Sequence, residues 1–130
     1  MAHQRLCSSI GFVRLGLLLA LLSLLPCSLW AREAREQARI DFLIHGVETT
    51  AKVKFVRNGT EYDGPAAASH LRMKLGYAGE RVKTAEDFVK YCASESSLTH
   101  QKYKIRAADG TMTDAAVYFQ TKLREFDEKH

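Results

Sequence analysis

The chain lacks the short motifs by which a reaction usually announces itself. It has no Cys-x-x-Cys pair, no His-Glu-x-x-His, no Gly-x-Ser-x-Gly, no phosphate-cradling glycine loop and no calcium loop, which removes the strong signals for metal, hydrolase and nucleotide chemistry. His45, His70, His100 and His130 are scattered over separate segments without a shared ligand spacing, so neither a metal site nor a cofactor is expected. Cysteine is scarce, with only Cys7, Cys27 and Cys92. The basic excess is modest, a formal net charge of +4.

What the chain does have comes first at its N-terminus. Arg5 and Arg14 precede the apolar run Leu15–Leu25, and a charge-rich sequence begins at Arg32, the order of a secretory signal peptide. Leu15–Ala31 falls short of the roughly 18 to 20 uninterrupted apolar residues of a spanning helix, and Pro26 interrupts it. Cleavage after the small Ala31 is therefore expected ahead of retention as an anchor, although Leu29 is larger than the ideal residue for its position. Pro26 directly before Cys27 disfavours lipoprotein processing, and no twin-arginine pair is present. The expected organisation is a signal peptide over 1–31 and one small domain over 32–130, periplasmic or secreted, with no transmembrane span after cleavage.

Loss of the leader takes two arginines and no acid, leaving 17 basic against 15 acidic residues, a net of +2. It also takes Cys7 and Cys27, so Cys92 stands alone where disulfides normally form, and no intramolecular disulfide is available. A bond to another chain, a metal ligand and a buried thiol behaving as a small hydrophobe remain open, and the apolar stripe on which Cys92 falls favours the last.

Periodicity organises the rest. Arg32–Val47 reads as a helix with Ile40, Leu43, Ile44 and Val47 on one stripe and a solvated, charged beginning. Lys52–Arg57 alternates with a period of two, Asn58-Gly59 is a strong hairpin signal, and Thr60–Tyr62 is the return strand. Asn58-Gly59-Thr60 also matches a glycosylation acceptor, but the turn accounts for both residues. Asp63 caps a second helix to about Ala78, with Pro65 in its first turn and Ala67, Leu71, Leu75 and Ala78 inward. Thr84-Ala85-Glu86-Asp87 resembles a capping box and opens a third helix with Phe88, Val89, Cys92 and Ala93 on one face. The loop Ser94–Thr99 follows, its serines bonding their own backbone, and Lys102–Arg106 alternates again. Asp109-Gly110 then turns the chain out of that strand, and Thr113 or Asp114 starts a last helix with Ala116, Phe119, Leu123 and Phe126 inward. The fold class is α+β: a short antiparallel sheet, the hairpin plus one later strand, covered on one face by about four helices.

Four blocks occur in order: Phe55-Val56-Arg57-Asn58-Gly59-x-x-Tyr62, Ala67-x-x-His70-Leu71-x-x-Lys74, Lys83-Thr84-Ala85-Glu86-Asp87-Phe88, and Ala93-Ser94-x-Ser96-Ser97. In wording and order they resemble a family of short exported bacterial proteins classified only as a domain of unknown function, over about Ile40 to Leu123. The resemblance implies a bacterial, Gram-negative envelope protein and brings no established activity or cofactor. It also implies that members often carry one cysteine two residues before the hairpin Phe and another at the end of the later strand. Here those positions match Val53 and Ala107, so a disulfide clasping the two strands is absent at both ends.

Two groups of residues are candidates for function. Arg57, Asn58, Tyr62, His70 and Lys74 come from the hairpin and the helix after it; His70 and Lys74, four apart, share a helix face and form a pocket rim. The same residues equally serve as scaffold, with Tyr62 packing and His70 bonding the hairpin backbone. The second group is Lys52, Lys54, Lys102, Lys104 and Arg106, which alternation places on the sheet face away from Val53, Phe55, Tyr103 and Ile105. That face suits an anionic envelope component or an envelope protein as partner, or simply keeps edge strands soluble. Nucleic acid is excluded by the compartment. The expected function is a non-catalytic binding or interaction module. The competing reading is a small envelope enzyme using a pocket around His70, and oligomeric state is not legible.

Overall fold

Asn58 and Gly59 both take positive φ, 50° and 79°, the pair of left-handed residues that a two-residue type I′ turn requires. Around them the expected hairpin forms in the computed structural model, which describes the backbone from Leu25 and the side chains from Glu33 to His130. β1 (Val53–Arg57) pairs antiparallel with β2 (Thr60–Tyr62), Phe55 opposite Tyr62 and Arg57 opposite Thr60. Apart from its last residue, the apolar run read as a signal peptide lies outside the described residues. The chain divides between Glu33 and Ala34 into two units, and the fold is that of the second.

On its other side β1 pairs antiparallel with β3 (Lys104–Ala107), Phe55 facing Ile105 and Val53 facing Ala107. A fourth strand, β4 (Met112–Asp114), pairs antiparallel with β3 and completes the order β2-β1-β3-β4. This strand corrects the expectation of a single later strand. Asp109-Gly110 does not lead the chain away: Gly110 takes φ 86°, and the chain folds back through a hairpin, with Ala107 N–H donating to the Thr111 carbonyl at 2.9 Å. With only three residues before the next helix, no alternation could develop to announce it.

The helices cover one face. α1 (Leu25–Thr49) buries Ile40, Leu43, Ile44 and Val47 as the stripe requires, and begins seven residues before the expected Arg32. Its charged start is not wholly solvated, because Glu36 is half-buried and Arg39 buried. α2 (Gly64–Ala78) is capped by Asp63, whose carboxylate accepts from Ala66 N–H at 3.0 Å, and carries Pro65 in its first turn. Its inner face is turned slightly from the expected one: Ala68 and Lys74 are buried and Leu75 is half-buried. α3 (Ala85–Phe88) opens on a capping box between Thr84 and Asp87, then widens into a π-helical turn over Val89–Ala93. Phe88, Val89, Cys92 and Ala93 are buried as the periodicity demands. α4 (Ala115–Asp127) buries Phe119, Leu123 and Phe126, with Ala115 rather than Ala116 fully inside.

Gly64 fixes how α2 meets α1. A Cβ there would overlap the Val47 carbonyl oxygen and stand 3.0 Å from those of Glu48 and Thr50. The positive end of α2 thereby rests on carbonyls at the C-terminal end of α1, where opposite partial charges meet. Among the described residues no helix is long and apolar enough to cross a membrane.

Candidate functional site

Strand alternation puts Phe55 and Arg57 on the helix side of β1, and the register sets Tyr62 beside them. Continued by one residue beyond Val56 and Lys104, the β1–β3 register brings Tyr103 level with Arg57, and α2 lays His70 across the pair. The outcome is a run of polar contacts at the hairpin end of the sheet. Arg57 donates from Nη2 to Tyr62 Oη at 3.2 Å, with its guanidinium 5.1 Å above the centre of the Tyr62 ring. Its Nη1 lies 2.9 Å from His70 Nδ1 and 3.1 Å from Nε2. Arginine only donates, so the ring nitrogen that it bonds must be the unprotonated one. His70 Nε2 also lies 3.2 Å from Tyr103 Oη, a contact whose direction follows the tautomer of the ring.

Behind Tyr103 lies Lys74. Its Nζ donates to the Glu95 carbonyl at 2.6 Å and to Tyr103 Oη at 3.4 Å, and sits 4.9 Å from the centre of the Tyr103 ring. Burial pulls the Lys74 ammonium below its ordinary range, and the Arg57 charge adds to this. Burial first, then the charges of Arg57 and Lys74, lower His70 in the same way and keep its ring neutral near pH 7. Burial raises the Tyr103 phenol, which therefore stays protonated.

A pocket of about 150 Å³ opens beside this cluster, between the sheet and α2. Phe55, Leu71, Ala67 and Phe119 give it apolar walls, while Arg57, Tyr62, His70 and Tyr103 border it with polar groups. None of its lining residues is Asp or Glu. Arg57 itself has no carboxylate within ion-pair distance among the described residues, in contrast to Arg39, Arg72 and Arg106.

Three of the five predicted pocket residues thus meet: Arg57, Tyr62 and His70. Asn58 does not join them, because its left-handed backbone makes the turn and its Oδ1 accepts from Thr99 Oγ1 at 2.9 Å, tying the hairpin to the serine-rich loop. Lys74 is no rim residue, since it is buried and separated from the opening by Tyr103. Sequence reasoning placed Tyr103 inward but missed its part in the site. The available signal was its hydroxyl, which needs a partner when the ring is buried.

The second group falls largely as alternation requires. Lys54 stands opposite Arg106, and Lys104 is two residues further along β3 on the same face. Acids share that face, however. Arg106 pairs with Glu61 at 2.6 Å, Lys104 pairs with Asp114, and Lys102, in a bridge opposite Glu95 outside β3, reaches Asp114 at 3.7 Å. The positive surface therefore narrows to Lys52 and Lys54, which border a shallow cleft with Arg106 and Ala107. Asp114 stands at the N-cap of α4 without a side-chain capping bond, its carboxylate spent on the two lysines.

Cys92 is fully buried and its thiol pushed up by burial, a poor setting for a thiolate. In the serine-rich loop, Ser96 Oγ accepts from the backbone N–H groups of Leu98 and Thr99 at 3.4 and 3.3 Å, the local role its composition implied.

Comparison with known proteins agrees with the resemblance read from the four blocks. The chain is 42% identical over 85 residues to the uncharacterized protein YfeK of Salmonella typhimurium, covering 65% of this chain and 69% of that protein. No solved structure matches it. Residues 34–127 match the family of unknown function DUF5329, and the chain belongs to that family.

Proposed function

We propose that this chain is an exported, non-catalytic binding module of the bacterial envelope whose ligand site is the pocket between the sheet and α2. The observation that carries the proposal is Arg57, a cation bordering an apolar-walled pocket whose guanidinium, among the described residues, is bonded only to the neutral His70 and Tyr62. A guanidinium held ready without a carboxylate is a group prepared for an acceptor that arrives from outside.

Binding is favoured over catalysis by His70. Its ring nitrogens are engaged by Arg57 and Tyr103, and among the described residues no carboxylate orients it as a base. Export is supported by the leader pattern of Arg5, Arg14 and Leu15–Leu25, and by a family match that begins just beyond Ala31. On this reading Lys52 and Lys54 provide the contact with an anionic envelope component.

Thermal unfolding of the full chain, with and without a small-molecule extract of its own envelope, tests the site. The extract raises the midpoint of the native chain and leaves that of Ala66→Leu unmoved, since Ala66 is exposed at the pocket and a leucine there fills the mouth. An equal rise in both proteins puts the ligand elsewhere. Intact mass of the exported product, expected to begin at Arg32, tests the leader.

A further inference from the structure

We infer, building on the binding role proposed above, that the ligand is a monocarboxylate whose apolar body has about the bulk of a benzene ring. Two independent properties of the pocket lead there: what its rim can offer in hydrogen bonds, and how much its walls can hold.

The rim offers donors. Arg57 supplies its guanidinium fork. Tyr62 Oη already accepts from Arg57, which leaves its phenol proton without an acceptor among the described residues, and Tyr103 Oη accepts from Lys74. No Asp or Glu lines the pocket to receive a ligand N–H or O–H. A rim of donors without a carboxylate favours an acceptor group, and the planar fork of an arginine matches the two oxygens of a carboxylate. The buried Lys74 adds a second positive charge behind Tyr103, with the Glu95 backbone carbonyl as its short contact. A neutral amide would present an NH₂ to donors and leave it unpaired, which is how a polar rim rejects an otherwise equal shape.

The walls set the rest. Phe55, Leu71, Ala67 and Phe119 are apolar and buried, so a ligand made only of polar groups would lose its hydration there without replacement. The volume of about 150 Å³ is that of an apolar cavity known to accept benzene. A six-carbon chain or one aromatic ring fits this space.

Calorimetric titration of the full chain with hexanoate, hexanamide and acetate tests the inference, with Arg57→Gln and Ala66→Leu as variants. Hexanoate saturates the native chain, while hexanamide, lacking the charge, and acetate, lacking the body, bind at least about tenfold more weakly, the worth of one charge-assisted contact. Arg57→Gln brings hexanoate down to the level of hexanamide, and Ala66→Leu abolishes both. Hexanamide binding as tightly as hexanoate overturns the carboxylate and leaves the pocket standing. Acetate binding as tightly as hexanoate overturns the apolar body. Hexanoate failing to bind the native chain, or binding Ala66→Leu equally well, overturns the inference together with the pocket itself.

Discussion

Val53 and Ala107 face each other across β1 and β3 as a narrow pair. Ala107 directs its N–H to Thr111 on the far side, at 2.9 Å, so it exchanges no ladder bonds with Val53, and the two Cα atoms lie at the close, non-hydrogen-bonded spacing of about 4.5 Å. These are the positions at which the family resemblance implied a lost disulfide, and the spacing lies within the range such a bond spans. The double variant Val53→Cys, Ala107→Cys should oxidise in air to an intramolecular bond and raise unfolding stability by up to about 4 kcal/mol, the loop-entropy value for a closure of this length. Urea unfolding with and without reductant measures the gain, and an oxidised protein no more stable than the reduced one would show strain at the pair.

Gly64 has no room for a side chain between α2 and the end of α1. The obstructing atoms are backbone oxygens, which cannot swing aside as a side chain would. Gly64→Ala should therefore cost about 3 kcal/mol, the upper range for overfilled packing. Gly46, within α1, has nothing near its absent Cβ, and Gly46→Ala should stabilise by about 0.5 to 1 kcal/mol through helix propensity. Equal effects at the two glycines, measured by denaturant midpoint, would contradict the close approach.

Arg39 gathers three carboxylates from three helices: Glu36 at 2.9 Å, Glu86 at 2.6 Å and Asp127 at 2.9 Å. Glu36 also accepts from Ala85 N–H at 2.8 Å, which ties the start of α3 to α1. Because Arg39 is buried while Glu86 and Asp127 remain partly in solvent, Arg39→Met should cost about 2 kcal/mol, less than a fully buried network would. The Arg39 hydrogen bond holds the Glu86 carboxyl below its ordinary value of 4.5. A depressed carboxyl stabilises the fold above its unfolded pKa and loses that contribution as pH falls through its folded one. The gap between native and Arg39→Met unfolding curves should thus be full at pH 7 and shrink below about pH 4.5. A gap independent of pH would assign the loss to packing alone.

Most of the architecture was legible because its signals are local. Asn58-Gly59 can make one kind of turn, Asp63 and Thr84 cap the helices they precede, and Ile40 to Val47 repeat at the helical period. β4 was not legible, since three residues give no period and its partner lies across a turn. The site was half legible for the same reason. Arg57, Tyr62 and His70 stand close in sequence on a hairpin and the next helix, whereas Tyr103 reaches them only through the β1–β3 register. The burial of Lys74 depends on Tyr103 and on the Glu95 carbonyl, neither visible from its own helix. Counting only the cations of the sheet face overstated its charge, because Glu61 and Asp114 come to it from β2 and β4.

If Arg57 receives a carboxylate at the mouth of an apolar pocket, a crystal structure of the chain grown with hexanoate will show it. The carboxylate oxygens should stand at about 3 Å from the Arg57 guanidinium nitrogens, with the hexanoate chain against Phe55, Leu71 and Phe119 and the Arg57 contacts to His70 and Tyr62 lengthened. A pocket free of hexanoate at saturating concentration, with Arg57 still bonded to His70 and Tyr62, would contradict it.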